Sequence, residues 1–127
     1  MPLSLDKVVR RIVLIGSEKY HVESPLVPIG AKHKSVHVVW KARGIVKVAF
    51  FVYLQGDIYD AASSLRVAQD KWRCKVVLVC ADTHSAVNAR WAAELNGVFF
   101  DFRSLSFSEL GPKKLAKTGA LCQWLGV

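Results

Sequence analysis

Apolar residues fall into two kinds of run along this chain, and the runs set out its elements. Residues 45–54 (IVKVAFFVYL) are apolar almost without interruption, the pattern of a central strand covered on both faces. Residues 75–80 (KVVLVC) repeat it in shorter form. Between them Ile58, Ala61, Leu65, Ala68 and Trp72 recur at helical spacing behind Asp57, a good N-cap, and predict one amphipathic helix. A second helix is expected after a loop over 82–85. Ser85 is placed to cap it, Val87, Trp91 and Leu95 form its inner face, and Gly97 sits where a C-terminal cap belongs.

The flanking elements are less sharply written. Ser4 could cap a short helix over 5–11, while 11–16 reads equally well as a strand. Residues 20–23 suggest a short strand, Pro25, Pro28 and Gly30 a loop, and 35–41 a Val- and Trp-rich strand ended by a turn at Ala42-Arg43-Gly44. Residues 98–102 read as a further strand. Ser106 and Glu109 have capping-box spacing, and Pro112 is suited to opening a last, broken helical segment. Helices crossing between strands imply an α/β fold: a mixed central β-sheet flanked by helices, in one domain spanning 1–127.

At 127 residues and 52% hydrophobic, the chain can bury a real core, and disorder is not expected. That apolar fraction is high for a small monomer, so some apolar surface is expected to meet a protein partner or a second copy as a homo-oligomer. Cys74, Cys80 and Cys122 are odd in number and lack CxxC spacing. Neither a disulfide framework nor a zinc ribbon fits them, and buried free thiols suit a reducing, cytoplasmic setting. Asp6, Arg10 and Arg11 break the first apolar stretch, so no signal peptide is expected, nor a membrane span of about 18 apolar residues. Asn, Gln and Met number only two, three and one, which suggests a thermophilic origin, although few glutamates argue the other way.

Charge changes the picture most. Eighteen Lys and Arg against ten Asp and Glu leave a net +8, which attracts polyanions. Between Glu23 and Asp57 no acidic residue occurs, and the gap holds Lys32, His33, Lys34, His37, Lys41, Arg43 and Lys47. These seven are the candidate nucleic-acid-binding residues, a basic hairpin suited to phosphates of DNA or RNA, with Trp40 as a stacking face if exposed. The basic helix end at Lys71, Arg73 and Lys75 and a tail at Lys113, Lys114 and Lys117 are further cationic groups whose placement the sequence leaves open.

Catalytic signals are thin. His33 and His37 are four apart in a loop and a strand, with no acid or cysteine beside them, so no metal or other cofactor is expected. Asp82, His84 and Ser85 are close in sequence after an apolar strand, where ligands often bind, but they read more simply as capping residues. Gly16-Ser17 lacks the rest of a nucleotide-binding motif.

The segment from Gly30 to Asp101 resembles the restriction-endonuclease-like, PD-(D/E)xK, superfamily. SVHVVWKARG, IVKVAFFVYLQGD, IYDAASSLRVAQDKW and KVVLVCAD follow one another in that family's order, β-β-α-β-α-β with the later elements. The resemblance implies a fold in which acids on the first two strands, with a lysine, bind a divalent metal and position the attacking water. Here the matching first-strand position lies near His37, and the second strand is apolar or aromatic from Val48 to Leu54. The acids that would hold Mg²⁺ are missing. SSLRVAQDKWRCKVVLV is also similar to the helix-then-strand segment of archaeal tRNA-splicing endonucleases, whose catalytic set is metal-free and which include subunits lacking it. Gln69 falls near that segment's histidine.

The resulting expectation is a non-catalytic nucleic-acid-associated domain, a structural subunit or partner of a nuclease or other nucleic-acid-processing enzyme. Two alternatives stand beside it: a metal-independent ribonuclease using His33, Lys34, His37 and Tyr53, and a protein-interaction or small-ligand-binding α/β domain.

Overall fold

A computed structural model describes residues 4–24, 26–30, 34–95, 97 and 102–110. It is a mixed α/β fold whose five-stranded sheet has the order β1-β4-β5-β6-β7. These strands are β1 (His21–Glu23), β4 (Val38–Ala42), β5 (Ile45–Tyr53), β6 (Lys75–Cys80) and β7 (Phe102–Ser106). A separate two-stranded ribbon pairs β2 (Val27–Pro28) with β3 (Ser35–Val36). β4 and β5 are antiparallel, whereas β5, β6 and β7 run parallel. The connections between the parallel strands are helical: α2 (Ile58–Trp72) links β5 to β6, and α3 (Thr83–Leu95) lies between β6 and β7.

Alternation along β5 divides the core in two. Ala49, with Leu65, Ala68, Ala86 and Ala89, belongs to the layer under α2 and α3. Val48, Phe50 and Val52 point to the other face, against Val8, Ile12 and Ile15 of α1 (Leu5–Gly16). A strand with apolar residues of both parities is thereby covered twice, and β5 is the middle strand as its composition predicts.

Residues 11–16, equally readable as a strand, are helical. Ser4 caps α1 by accepting from Lys7 N–H at 3.2 Å, and Val8, Ile12 and Ile15 make one buried stripe, so helical period decides between the readings. The strand expected over 35–41 is broken at His37. Its backbone N–H donates to Phe50 O, while its ring takes the N–H of Val52. Val36 therefore leaves for β2 while Val38 joins β5.

α3 departs furthest from expectation. It begins at Thr83 rather than after Ser85, because Asp82 Oδ1 accepts from Ser85 N–H at 2.8 Å and acts as the cap. Its expected inner face is its outer face. Val87, Trp91 and Leu95 are 51%, 70% and 76% exposed, and Ala86, Ala89, Ala92 and Ala93 are buried. Four alanines form a flat strip that lies close over the sheet, where the bulkier stripe would hold the helix away.

Of the strand expected at 98–102 only Phe102 is among the described residues, and it opens a strand running on to Ser106. The turn after Ser106 is a single 3-10 turn, Phe107–Leu110. The segment expected from Pro112, with Lys113, Lys114, Lys117 and Cys122, lies outside the described residues. No helix among the described residues is long and apolar enough to cross a membrane.

Candidate nucleic-acid interface

The basic residues of the charge gap part company in the fold. Lys32 and His33 lie outside the described residues. Lys34 is drawn to the first turn of α2, where its Nζ is 2.6 Å from Asp60 Oδ1. Lys41 Nζ lies 3.1 Å from Glu23 Oε2 on neighbouring β1. Each of these lysines carries its own counter-charge, which removes it from a free cationic surface.

His37 does not belong to a basic surface either. It is only 8% exposed, and its ring stands edge-on to Phe51 with centroids 4.6 Å apart. Burial lowers its pKa. Its Nδ1 accepts from Val52 N–H at 2.9 Å, so the neutral ring carries its proton on Nε2. Trp40, offered as a stacking face, is fully buried, stacked on Tyr20 at 5.3 Å and tilted on Phe50 at 4.5 Å.

Arg43 and Lys47 remain, and the topology supplies their companions. Arg43 and Gly44 form the two-residue loop of the β4–β5 hairpin, with φ of 54° and 78°. Positive φ at both positions marks the turn type whose twist suits paired strands. Opposite Trp40 and Lys41 stand Val48 and Val46, so Lys47 is the extra residue of a bulge, and bulges re-aim side chains. Because β5 and β6 are parallel, the start of β6 lies at the same end of the sheet as this hairpin, and Lys75 pairs with Val48. Lys47 and Lys75 line one hollow of about 190 Å³ with Tyr20, Ala42 and Val48. Arg73, in the left-handed conformation that ends α2, is two residues away. Arg43, Lys47 and Arg73 are exposed, and none has a carboxylate partner among the described residues.

Arg43, Lys47, Arg73 and Lys75 thus form a cationic end of the sheet, built from the hairpin and from the entry to β6. The sequence names all four but cannot bring the last two beside the first two. The signal was the helical crossover between two apolar strands, since a parallel pair starts both strands at one end. Lys71 turns aside, its Nζ donating to Ile29 O.

At the other end of the sheet a cavity of about 650 Å³ is lined by Ser4, Leu5, His37, Phe51, Val52, Leu54, Gln55 and Ala81. Among the described residues no carboxylate lines it. Of the residues of the ribonuclease alternative, Tyr53 OH donates to Gly56 O at 2.9 Å, Lys34 is bound to Asp60, and His33 lies outside the described residues. The Asp82 carboxylate serves the cap of α3, and the Ser85 N–H bond holds its pKa below the usual value. His84 is exposed, its Nε2 3.4 Å from Asn88 Nδ2. Among the described residues no three His, Cys, Asp or Glu are grouped to hold a metal ion. Comparison with known protein families, with curated proteins and with solved structures finds no match.

Proposed function

We propose that this chain is a nucleic-acid-associated domain that does not itself cut its substrate, acting as a structural subunit or partner of a nuclease or other nucleic-acid-processing enzyme. The observation that carries the reading is the convergence of Arg43, Lys47, Arg73 and Lys75 on one end of the sheet. Clustered cations release counterions from a phosphate backbone, and this term supplies most sequence-independent affinity. The succession β4, β5, α2, β6, α3, β7 supports a restriction-endonuclease-like core. In such a core, metal-binding acids are needed where this chain has a neutral, buried His37 and the packed residues Val48, Phe50 and Val52. That substitution supports binding without hydrolysis.

The test is fluorescence anisotropy with labelled single-stranded DNA, duplex DNA and structured RNA across a salt series, with chelator and with Mg²⁺, followed by inspection of the products. Affinity that falls steeply with salt, leaves the substrate intact and is weakened by Lys47→Glu and Arg73→Glu is the expected result. Absence of binding at low salt overturns the reading, and cleavage that persists in chelator returns the metal-independent ribonuclease.

A further inference from the structure

The exposed stripe of α3 needs an occupant. The other large exposed apolar side chains form no line along an element: Leu5 and Leu14 stand nine residues apart on α1, on opposite sides of it, and Ile45 on β5 and Tyr59 on α2 stand singly, and scattered exposures are ordinary. On α3 the spacing i, i+4, i+8 places Val87, Trp91 and Leu95 along one line, and Trp91 and Leu95 exceed all of these in exposure. Trp at the centre of an apolar strip is characteristic of interface cores. The helix stays folded without them, because its alanines provide the packing against the sheet.

We propose that the occupant is a second copy of this chain, whose α3 packs antiparallel on the first about a twofold axis at Trp91. The stripe matches itself in that arrangement. With Trp91 facing Trp91, Val87 of each copy meets Leu95 of the other, so a smaller side chain always faces a larger one. The charges beside the stripe also match. Arg90 and Glu94 line one flank with Nε and Oε1 3.5 Å apart, and antiparallel pairing brings each Arg90 within side-chain reach of the other copy's Glu94. The opposite flank carries His84 and Asn88. A chain of net charge +8 repels its own copies over most of its surface. This flank, with one fixed cation and one fixed anion, lets two copies approach without that penalty and offers a polyanion no net attraction. Stable interfaces bury about 800 Å² per partner, and a contact confined to one helix face is expected to be weak, with dissociation in the micromolar range.

Sedimentation equilibrium of the full chain between micromolar and near-millimolar concentrations tests this. The expected result is a reversible monomer–dimer equilibrium, with Kd raised at least tenfold by Trp91→Glu and by Val87→Glu. Leu14→Glu on α1 is expected to leave it unchanged. Circular dichroism establishes that each variant is folded, and Val87→Glu carries the test if Trp91→Glu is not. A chain that is monomeric throughout overturns the proposal and points to another partner, or another part of the same chain, on α3. A dimer insensitive to both α3 substitutions overturns it equally.

Discussion

The Cβ that Gly16 lacks would fall inside the indole of Trp40, at the ring nitrogen and the two carbons bonded to it. The last residue of α1 thus touches the largest fully buried side chain of the sheet with bare backbone. Glycine within a helix ordinarily costs about 1 kcal/mol relative to alanine, so Gly16→Ala would stabilise an exposed helix. Here it is expected to destabilise by about 1–3 kcal/mol, because the added methyl overfills a closed site. Chemical denaturation measures the loss. Combining Gly16→Ala with Trp40→Phe recovers part of it, since the smaller ring vacates the clash and the two effects are coupled. Additive losses would show that the two residues do not share the site.

His37 ties stability to pH. Its unfolded form takes up a proton near pH about 6.5, while burial lowers the folded value. Between the two values the unfolded chain binds more protons, so stability falls as pH drops through about 6.5 and levels off below the folded pKa. Tm is expected to be lower at pH 5.5 than at pH 7.5, with a smaller difference in His37→Gln, which keeps an acceptor for Val52 N–H. Equal differences in the two proteins would assign the effect elsewhere.

Both described cysteines are expected to be inert in the native state. Burial pushes the Cys74 thiol up to about 11 and the Cys80 thiol up to about 12, so the reactive thiolate is scarce at neutral pH. With Cys122 replaced by alanine, a thiol reagent at pH 8 should label neither residue until denaturant is added. Rapid labelling of the folded protein would contradict their burial.

Asp82→Ala separates capping from chemistry. Loss of the carboxylate that holds Ser85 N–H is expected to cost about 1 kcal/mol of stability, read from the denaturation midpoint. Nucleic-acid affinity should stay unchanged. A loss of affinity at constant stability would instead give Asp82 a binding role.

The two cationic populations should respond differently to charge reversal. Lys47→Glu is expected to weaken binding across sequences and reduce the salt slope by about 1. Lys34→Glu leaves the slope as it was, because Lys34 is already paired with Asp60. Equal responses at the two positions would move the interface toward the charge gap as a whole.

What the sequence disclosed about the fold follows from how burial acts on pattern. β5, α2 and β6 are legible because β5 is covered on both faces and α2 on one, so apolar spacing and burial coincide there. α3 misleads because hydrophobicity permits burial without requiring it. Alanine, too small to mark a face in the sequence, is what meets the sheet. The kink at His37 is illegible for another reason: a side chain replaces a strand partner, and no local residue pattern encodes that exchange. At the cationic end, Arg43 and Lys47 are visible in the charge gap, but their meeting with Arg73 and Lys75 depends on parallel pairing across a helix, a long-range fact.

The β4–β5 hairpin is pinned near both ends. At one, the His37 imidazole replaces a backbone acceptor for Val52 N–H. At the other, Lys47 is an uncompensated extra residue. Sliding the strands by two residues keeps every apolar side chain on its proper face, and it is the slip that alternation alone cannot forbid. Here it would strand a ring nitrogen at one end and misplace the bulge at the other. The hairpin therefore has one register, and within it the spacing of Arg43 from Lys47 is as fixed as a covalent ruler.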